Sequence, residues 1–534
     1  MLDIYPKLKY VKILGEKLES NRELSIVKKG LEDFREKAVD ISSELYSNES
    51  FGIIIEREKV EIYCDSDRAF YYGLLTLKQL KDEDKLYTSI IFDYPHMKIR
   101  GIIEGFYGEP WTLQKRCEAI DTISKFKMNT YIYAPKNDVY HRLKWSEPYP
   151  KDELKQMKEL FDYCSNRYMD FYYTLGPGVS MKYSSKEHLR FLKNKYMQLY
   201  EIGIRNFGIL FDDIPVELVD KSDKKIFATA DKAHVFVVNE LYQYLKALDS
   251  SCNLIVCGSV YCGKGNEPYI VNLCRNLPKE VNIFWTGRSI CSQELDFRDA
   301  KYFLENNLRK PVFWDNYPVN DAEMEYEMHL GPIVGRDGEL YKFTEGLASN
   351  VMEYKEASMI PVITSADYLW NSLDYSSDYS LKRGILEVAG EKDFEAFRSF
   401  NKFCLKSCLN GRGNEEFIEK VVQFQYEYNE GRIEEAFDNI EVYLINNLKT
   451  AVTLEKSMEN KALRIDILRW LNKFIAFNKL WIRVIRCAKE YKCGSKLQAL
   501  IILLPIPIML YLFNRSPIKM MNFETKVLID TVMK

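Results

Sequence analysis

Between residues 97 and 373, short apolar runs that read as strands alternate with stretches whose apolar residues recur at helical spacing. This rhythm constrains the fold more than any other feature of the chain. The runs fall at 98–104, 130–134, 170–175, 206–211, 253–259, 281–286, 311–315 and 346–350. Helical stretches such as LQKRCEAIDTISKF (113–126) and EHLRFLKNKYMQLYEIG (187–203) lie between them. Eight such units over roughly 280 residues predict a (β/α)₈ barrel. The alternative is a doubly wound open sheet, which ordinarily carries a glycine-rich phosphate loop after its first strand. That position reads EGFYGEPW (104–111), without the spacing of such a loop.

The flanks read differently. FGIIIE (51–56) and KVEIYC (59–64), followed by the amphipathic RAFYYGLLTLKQLK (68–81), predict a small α/β domain over 1–95 that ends at Pro95. The barrel then occupies 96–385. Strand signals stop there, and 386–500 is amphipathic and almost free of proline, as a helical bundle requires. The tail, 501–534, belongs to none of these. It contains most of ALIILLPIPIMLYLF (499–513), fifteen uncharged residues broken by Pro505 and Pro507. A membrane span needs about 17–25 apolar residues, which disfavours an anchor against a buried or partner-covered tail without deciding between them, so the role of 501–534 stays open. The opening MLDIYPKLKYVKILG has no apolar run of signal-peptide length, which predicts a cytoplasmic chain.

Charge and composition narrow the chemistry. With 75 Lys and Arg against 78 Asp and Glu, the formal net charge is −3 and both signs are interleaved, which gives no nucleic-acid partner. The five histidines (His96, His141, His188, His234 and His329) form no helical pair, and the twelve cysteines form no C-x-x-C. No metal and no cofactor are expected, and most cysteines read as buried free thiols. Aromatic residues, at 14% with 37 Tyr, 29 Phe and 7 Trp, point to chemistry built on carboxylates and ring faces. Oligomeric state is not legible in the sequence.

In a barrel of this class the reacting groups sit where strands end and loops begin. Those positions carry Glu104 and Gly105; Lys136, Asn137 and Asp138; Asp212 and Asp213; Tyr261; Trp285 and Thr286; Trp314, Asp315 and Asn316, with Asp321 just beyond; and Asn350. Ring faces for C–H surfaces, with amides and carboxylates for hydroxyls, are the inventory for gripping a sugar. The adjacent acids Asp212 and Asp213, at the end of FGILFDDIP (207–215), are the leading catalytic candidates. Two carboxylates this close raise one pKa, which would make that group a proton donor. Neighbours on a regular strand face opposite ways, so both reach one pocket only if the strand ends there, and Pro215 favours that ending. The bland readings are a solvated turn for the acid pair, a solvated loop for Lys136, packing for Tyr261 and Trp314, and an N-cap of a helix over DAEMEYEMH (321–329) for Asp321.

RGIIEGFYGEPW (100–111), YAPKND (133–138), ILFDDIP (209–215), FWTG (284–287) and FWDNYPVND (313–321) together resemble the family 84 glycoside hydrolases, O-GlcNAcases and hyaluronidase-like β-N-acetylglucosaminidases. The blocks stand in the family's order and spacing over about residues 97–370. The resemblance implies a retaining, substrate-assisted exo-β-N-acetylglucosaminidase acting on terminal GlcNAc, of a glycoprotein or a glycan, through an oxazoline. It assigns Asp212 to the substrate's acetamido group and Asp213 to general acid–base catalysis. It assigns Gly105, Lys136, Asn316, Asp321 and Asn350 to sugar contacts, and Tyr261, Thr286 and Trp314 to the acetamido pocket; Trp285 joins the candidates for lining it. Val351 stands where the family commonly has proline. A hyaluronan-degrading hexosaminidase and an inert glycan-binding module are the alternative readings.

Overall fold

A computed structural model describes residues 4–35, 47–178, 180–411 and 413–532. The chain forms two compact units. The first comprises Met1–Asn316, Ile333–Val351 and Val362–Ser377; the second comprises Tyr317–Pro332, Met352–Pro361 and Asp378–Lys534.

Within the first unit, β1 (Tyr10–Lys17), β2 (Ser25–Lys29), β3 (Phe51–Ile55), β4 (Lys59–Tyr63) and β5 (Tyr87–Asp93) form a sheet ordered β1-β5-β3-β4-β2. The sequence marked β3, β4 and the helix Asp67–Asp82, whose N-cap Ser66 accepts the amide of Ala69. It did not mark β5, which lies inside the sheet, nor β1 and β2, which are edge strands, exposed along most of their length and carrying lysines.

Eight parallel strands close the barrel: β6 (Ile99–Glu104), β7 (Thr130–Tyr133), β8 (Asp170–Leu175), β9 (Asn206–Leu210), β10 (Asn253–Cys257), β11 (Asn282–Trp285), β12 (Val312–Asp315) and β13 (Gly346–Asn350). Closure comes from β13 pairing with β6, from Gly346 opposite Ile99 to Asn350 opposite Ile103. The amide of Val351 then donates to the Ile103 carbonyl at 3.3 Å, so the chain leaves β13 still paired.

Side-chain parity decides what this barrel can present. The interior cluster includes Ile103, Ala134, Leu210, Phe284, Trp314 and Ala348, five from separate strands and Ala134 directly after β7. Successive strand residues face opposite ways, so the position two further on faces inward again, at the mouth. Those positions are Gly105, Lys136, Asp212, Thr286, Asn316 and Asn350. A single rule of backbone geometry therefore brings six of the ten candidate site residues to one mouth.

The second unit is helical. Ile433–Ser457 and Lys461–Cys493 are its longest helices, and Phe403, Phe417, Phe474 and Phe477 pack ring against ring in its core. Of the readings of the apolar tail, burial within this chain is the one the structure contradicts. It forms two helices, Lys496–Leu503 and Ile506–Arg515, with Pro505 between them. Leu497, Leu500, Ile501, Leu504, Ile508 and Leu512 are exposed. By length and composition alone, Lys496–Arg515 would suffice to cross a membrane. The cysteines are all free, but only six of the twelve (Cys64, Cys164, Cys252, Cys257, Cys274 and Cys404) are buried, fewer than expected.

Candidate active site

The acid pair is made by a backbone turn. β9 ends at Leu210, Asp212 keeps the inward parity, and Asp213 adopts a left-handed conformation with φ of 55°. Aspartate is among the few residues that visit this region readily. The turn takes Asp213 off the strand's alternation, so both carboxylates meet the same ammonium. Lys136 Nζ hydrogen-bonds Asp212 Oδ2 and lies 3.7 Å from Asp213 Oδ2. Lys136 is buried and Asp212 nearly so, whereas a third of the Asp213 side chain is exposed (33%). Two phenols complete the surroundings of Asp213: Tyr107 Oη donates to Oδ2 at 2.7 Å and Tyr261 Oη to Oδ1 at 2.9 Å. Arg142 Nη1 in turn donates to Tyr107 Oη at 2.9 Å.

Electrostatics here departs from the sequence expectation. Neighbouring acids were expected to raise one pKa. Burial does push Asp213 upward, but Lys136, the two phenol donors and Arg142 outweigh it, and its pKa lies below the ordinary value. The lysine between the carboxylates cancels the repulsion on which that expectation rested. Burial alone would lower the Lys136 pKa, yet the two carboxylates hold it above its usual value, as an ammonium. Burial, then Asp213, pushes the Tyr261 phenol up, so it remains a donor.

The floor of the mouth is a connected network. The Gly105 amide donates to Asn350 Oδ1 at 3.2 Å, and Asn350 Nδ2 donates to Asn316 Oδ1 at 2.9 Å. Trp314 Nε1 donates to the same oxygen at 3.0 Å, and Asn316 Nδ2 donates to the Ile290 carbonyl at 2.7 Å. A Cβ on Gly105 would lie 2.6 Å from the Trp314 ring and 3.1 Å from Asn350 Oδ1, so only glycine fits beside this pair. The Trp314 ring also faces Lys136 Nζ at 5.4 Å from its centroid. Thr286 donates its amide to the Tyr261 carbonyl at 2.8 Å and its hydroxyl to the Ser289 carbonyl at 2.7 Å, which fixes the Tyr261 loop.

Four residues named at strand ends do not belong to this mouth. Glu104 and Asp315 have the outward parity. Glu104 is buried against Arg116 (2.7 and 2.8 Å), and Asp315 is buried against Arg336 (2.8 Å). Asp138 accepts the Tyr133 and Tyr149 hydroxyls, both at 2.7 Å, and so fastens its own loop. Trp285 alternates with the inward Phe284 and packs its ring on Phe303 of the helix Phe297–Asn307, with centroids 5.1 Å apart, instead of lining a sugar pocket. Asp321 falls in the second unit. The helix expected after it is a single 3₁₀ turn, Ala322–Met324, with no side-chain cap from Asp321, because Ala322 at φ of 50° breaks the helical path at its first residue. Tyr107 and Arg142 were not assigned by sequence reasoning. Tyr107 lies in the same block as Gly105, but an exposed loop tyrosine carries no signal of its own.

The sequence profile described as beta-N-acetylglucosaminidase matches residues 100–402, more than half of the chain. The chain belongs to the β-N-acetylglucosaminidase family. This is the family 84 glycoside hydrolase membership that the motifs implied. Among the family's solved structures, a mutant of the Thermobaculum terrenum O-GlcNAc hydrolase superposes with a TM-score of 0.78 at 30% identity, covering 82% of this chain and 96% of that one. The structure named CpGH84B superposes with a TM-score of 0.86 at 27% identity, covering 99% and 100%. The O-GlcNAcases of Rattus norvegicus and Mus musculus are each 31% identical over 280 residues, 51% of this chain but only 30% of their own length.

Proposed function

We propose that this protein is a retaining exo-β-N-acetylglucosaminidase that removes terminal β-linked GlcNAc, including O-GlcNAc on serine or threonine, by substrate-assisted catalysis. One observation carries the reading. Asp212 and Asp213 stand together at the mouth, while Glu104, Asp138 and Asp315 are engaged elsewhere in the fold. An ordinary retaining glycosidase needs a carboxylate nucleophile about 5–5.5 Å from its acid, on the other side of the bond. With Glu104, Asp138 and Asp315 tied up in this way, the site agrees with what the family resemblance implies, a nucleophile taken from the sugar's own 2-acetamido oxygen.

In this scheme the acetamido oxygen bonds to the anomeric carbon as the glycosidic bond breaks. Asp213 gives its proton to the leaving oxygen, and the product is an oxazoline with its positive charge shared by the acetamido group. Asp212, held by Lys136, accepts the acetamido N–H and favours that charge. The Asp213 carboxylate then takes a proton from water, whose oxygen attacks the anomeric carbon and reopens the ring with retention. Burial is the largest single influence on Asp213 and it pushes the pKa upward. A bound sugar that covers its exposed third strengthens that influence, so the complex favours the protonated acid that the free site disfavours. Gly105, Lys136, Asn316, Asp321 and Asn350 are assigned to the sugar, and Tyr261, Thr286 and Trp314 to the acetamido group.

The decisive experiment compares aryl β-N-acetylglucosaminide with aryl β-glucoside. Hydrolysis confined to the first, with a thiazoline mimic of the intermediate binding far more tightly than GlcNAc, is the expected result. Equal cleavage of both substrates rules out participation by the acetamido group. Release of hyaluronan fragments without cleavage of a GlcNAc-modified peptide would favour the hyaluronan reading, and sugar binding without turnover the inert module.

A further inference from the structure

The second unit brings together three side chains that the reaction does not use. The segment Tyr317–Pro332 supplies Glu327 and His329, and the loop before the helix Glu415–Asn429 supplies Cys408, 81 residues from Glu327. Their ligand atoms, a carboxylate oxygen, an imidazole nitrogen and a thiol sulfur, all lie within 4.8 Å of one another.

The orientation of His329 is the informative detail. Its Nδ1 faces the carbonyl oxygens of Pro318 and Val319, at 3.0 and 2.9 Å. Carbonyls only accept, so Nδ1 carries the hydrogen. In the neutral ring the lone pair then sits on Nε2, which faces Glu327 Oε2 at 3.1 Å. Two acceptors at this distance repel unless a positive centre lies between them. A histidine whose Nδ1–H is fixed by backbone carbonyls while Nε2 faces an anionic donor is the arrangement of a metal ligand with its outer-shell support. The ring is fully buried and stacks on Tyr317, with centroids 5.9 Å apart, so its direction is set by packing. The Cys408 amide donates to the same Glu327 oxygen at 3.1 Å, which holds the thiol-bearing residue at the cluster. Lys519 approaches the other carboxylate oxygen, Oε1, at 3.9 Å and donates to the Glu323 carbonyl at 2.6 Å. Oε2 is therefore left on the imidazole side.

We propose that Glu327, His329 and Cys408 form a binding site for a borderline divalent cation, with Zn²⁺ as the best match. One oxygen, one nitrogen and one sulfur ligand suit zinc and exclude magnesium and calcium, which take oxygen ligands. Bonds of about 2.0–2.3 Å to a tetrahedral ion place neighbouring ligand atoms roughly 3.3–3.8 Å apart, within reach of this cluster by side-chain rotation alone. Cys408 is exposed, so the metal has an entry path and solvent can supply the fourth ligand. On binding, the thiol loses its proton to solvent, so affinity rises with pH. The bound ion clips Tyr317–Pro332, the segment that also carries Asp321, to the Cys408 loop.

The test is cobalt(II) titration of the full chain, reduced and freed of metal by chelation. The expected result is a single strong site with a thiolate-to-cobalt charge-transfer band, bleached by Zn²⁺. Cys408→Ser, an exposed substitution, should remove the band and weaken Zn²⁺ binding by at least about a hundredfold, the upper end of what losing an outer-shell partner costs. Zn²⁺ should also raise the Tm of the unaltered protein and leave that of Cys408→Ser unchanged. Glu327→Gln, which keeps shape and volume, should weaken binding in the same direction. A band that survives in Cys408→Ser belongs to another cysteine and overturns the proposal. So does an intact protein that gives no band, since a proton shared between His329 and Glu327 would then be the positive centre.

Discussion

The two ends of the barrel each bury a cation against carboxylate, one carboxylate at the base and two at the mouth. At the base, the Arg100 guanidinium donates to Glu49 Oε2 (2.7 Å), the Met97 carbonyl (2.7 Å), the Lys127 carbonyl (3.2 Å) and the Tyr72 hydroxyl (3.0 Å). Asn129 closes the ring by donating to Glu49 Oε1 (3.0 Å) and the Lys98 carbonyl (2.7 Å). A planar fork whose three nitrogens all donate to protein groups is a structural clamp. At the mouth, Lys136 is a point charge between two carboxylates, one of them partly open to solvent. The base closes its charge off among protein groups, and the mouth leaves one of its carboxylates partly open to solvent. That division is the general one for this architecture, in which the strands' C-terminal ends carry chemistry and their N-terminal ends stability.

Substitutions at the two ends should therefore separate activity from stability. The largest effect is expected for Asp213→Asn, with kcat/KM on an aryl β-N-acetylglucosaminide falling about 10²–10⁴-fold and the unfolding midpoint barely moved. A loss below about tenfold in steady-state kinetics would dissolve the contrast at its catalytic end. Arg100→Met should do the reverse. Glu49 keeps Arg68 at 3.0 Å but loses its buried partner, which should cost about 3 kcal/mol in denaturant unfolding, the low end for a broken buried pair, with kcat per folded molecule unchanged. A stable but inactive Arg100→Met protein would mean that the base is not merely structural.

Finer effects follow from the depressed Asp213 pKa. The free enzyme loses the proton its acid needs at lower pH than the complex does. The alkaline limb of kcat should therefore lie above that of kcat/KM, which a pH–rate series on one substrate measures. Coincident limbs would show that sugar binding leaves the acid's environment unchanged. For stability the sign is opposite. A carboxylate depressed in the folded state stabilises above its ordinary pKa, near 4, and that contribution is lost as pH falls through the folded value. The smallest change is expected for Tyr261→Phe. Removing one donor to Asp213 should move the alkaline limb of kcat/KM upward, and a downward movement would contradict the hydrogen bond's direction.

Much of the barrel was legible because strand parity and helical periodicity are local properties of covalent geometry. All eight strands were placed to within one or two residues, and counting two positions past each inward apolar residue finds Gly105, Lys136, Asp212, Thr286, Asn316 and Asn350. The same count, applied strictly, removes Glu104, Asp315 and Trp285 from the mouth. Reading strand ends as whole segments had kept them in. Edge strands β1 and β2 escaped because their exposed, lysine-bearing faces lack an apolar alternation.

By itself, then, the sequence determined the barrel, its register of inward residues and the family's five motif blocks, since each depends on neighbours along the chain. Only the tertiary structure decided the rest. The left-handed turn at Asp213, the lysine that reverses the expected pKa shift and the Tyr107–Arg142 support all arise where separate loops converge. So does the meeting of Glu327, His329 and Cys408. Electrostatic fields and ligand geometry are set by distances across space, and no spacing along a chain encodes those until the barrel closes and the helices pack.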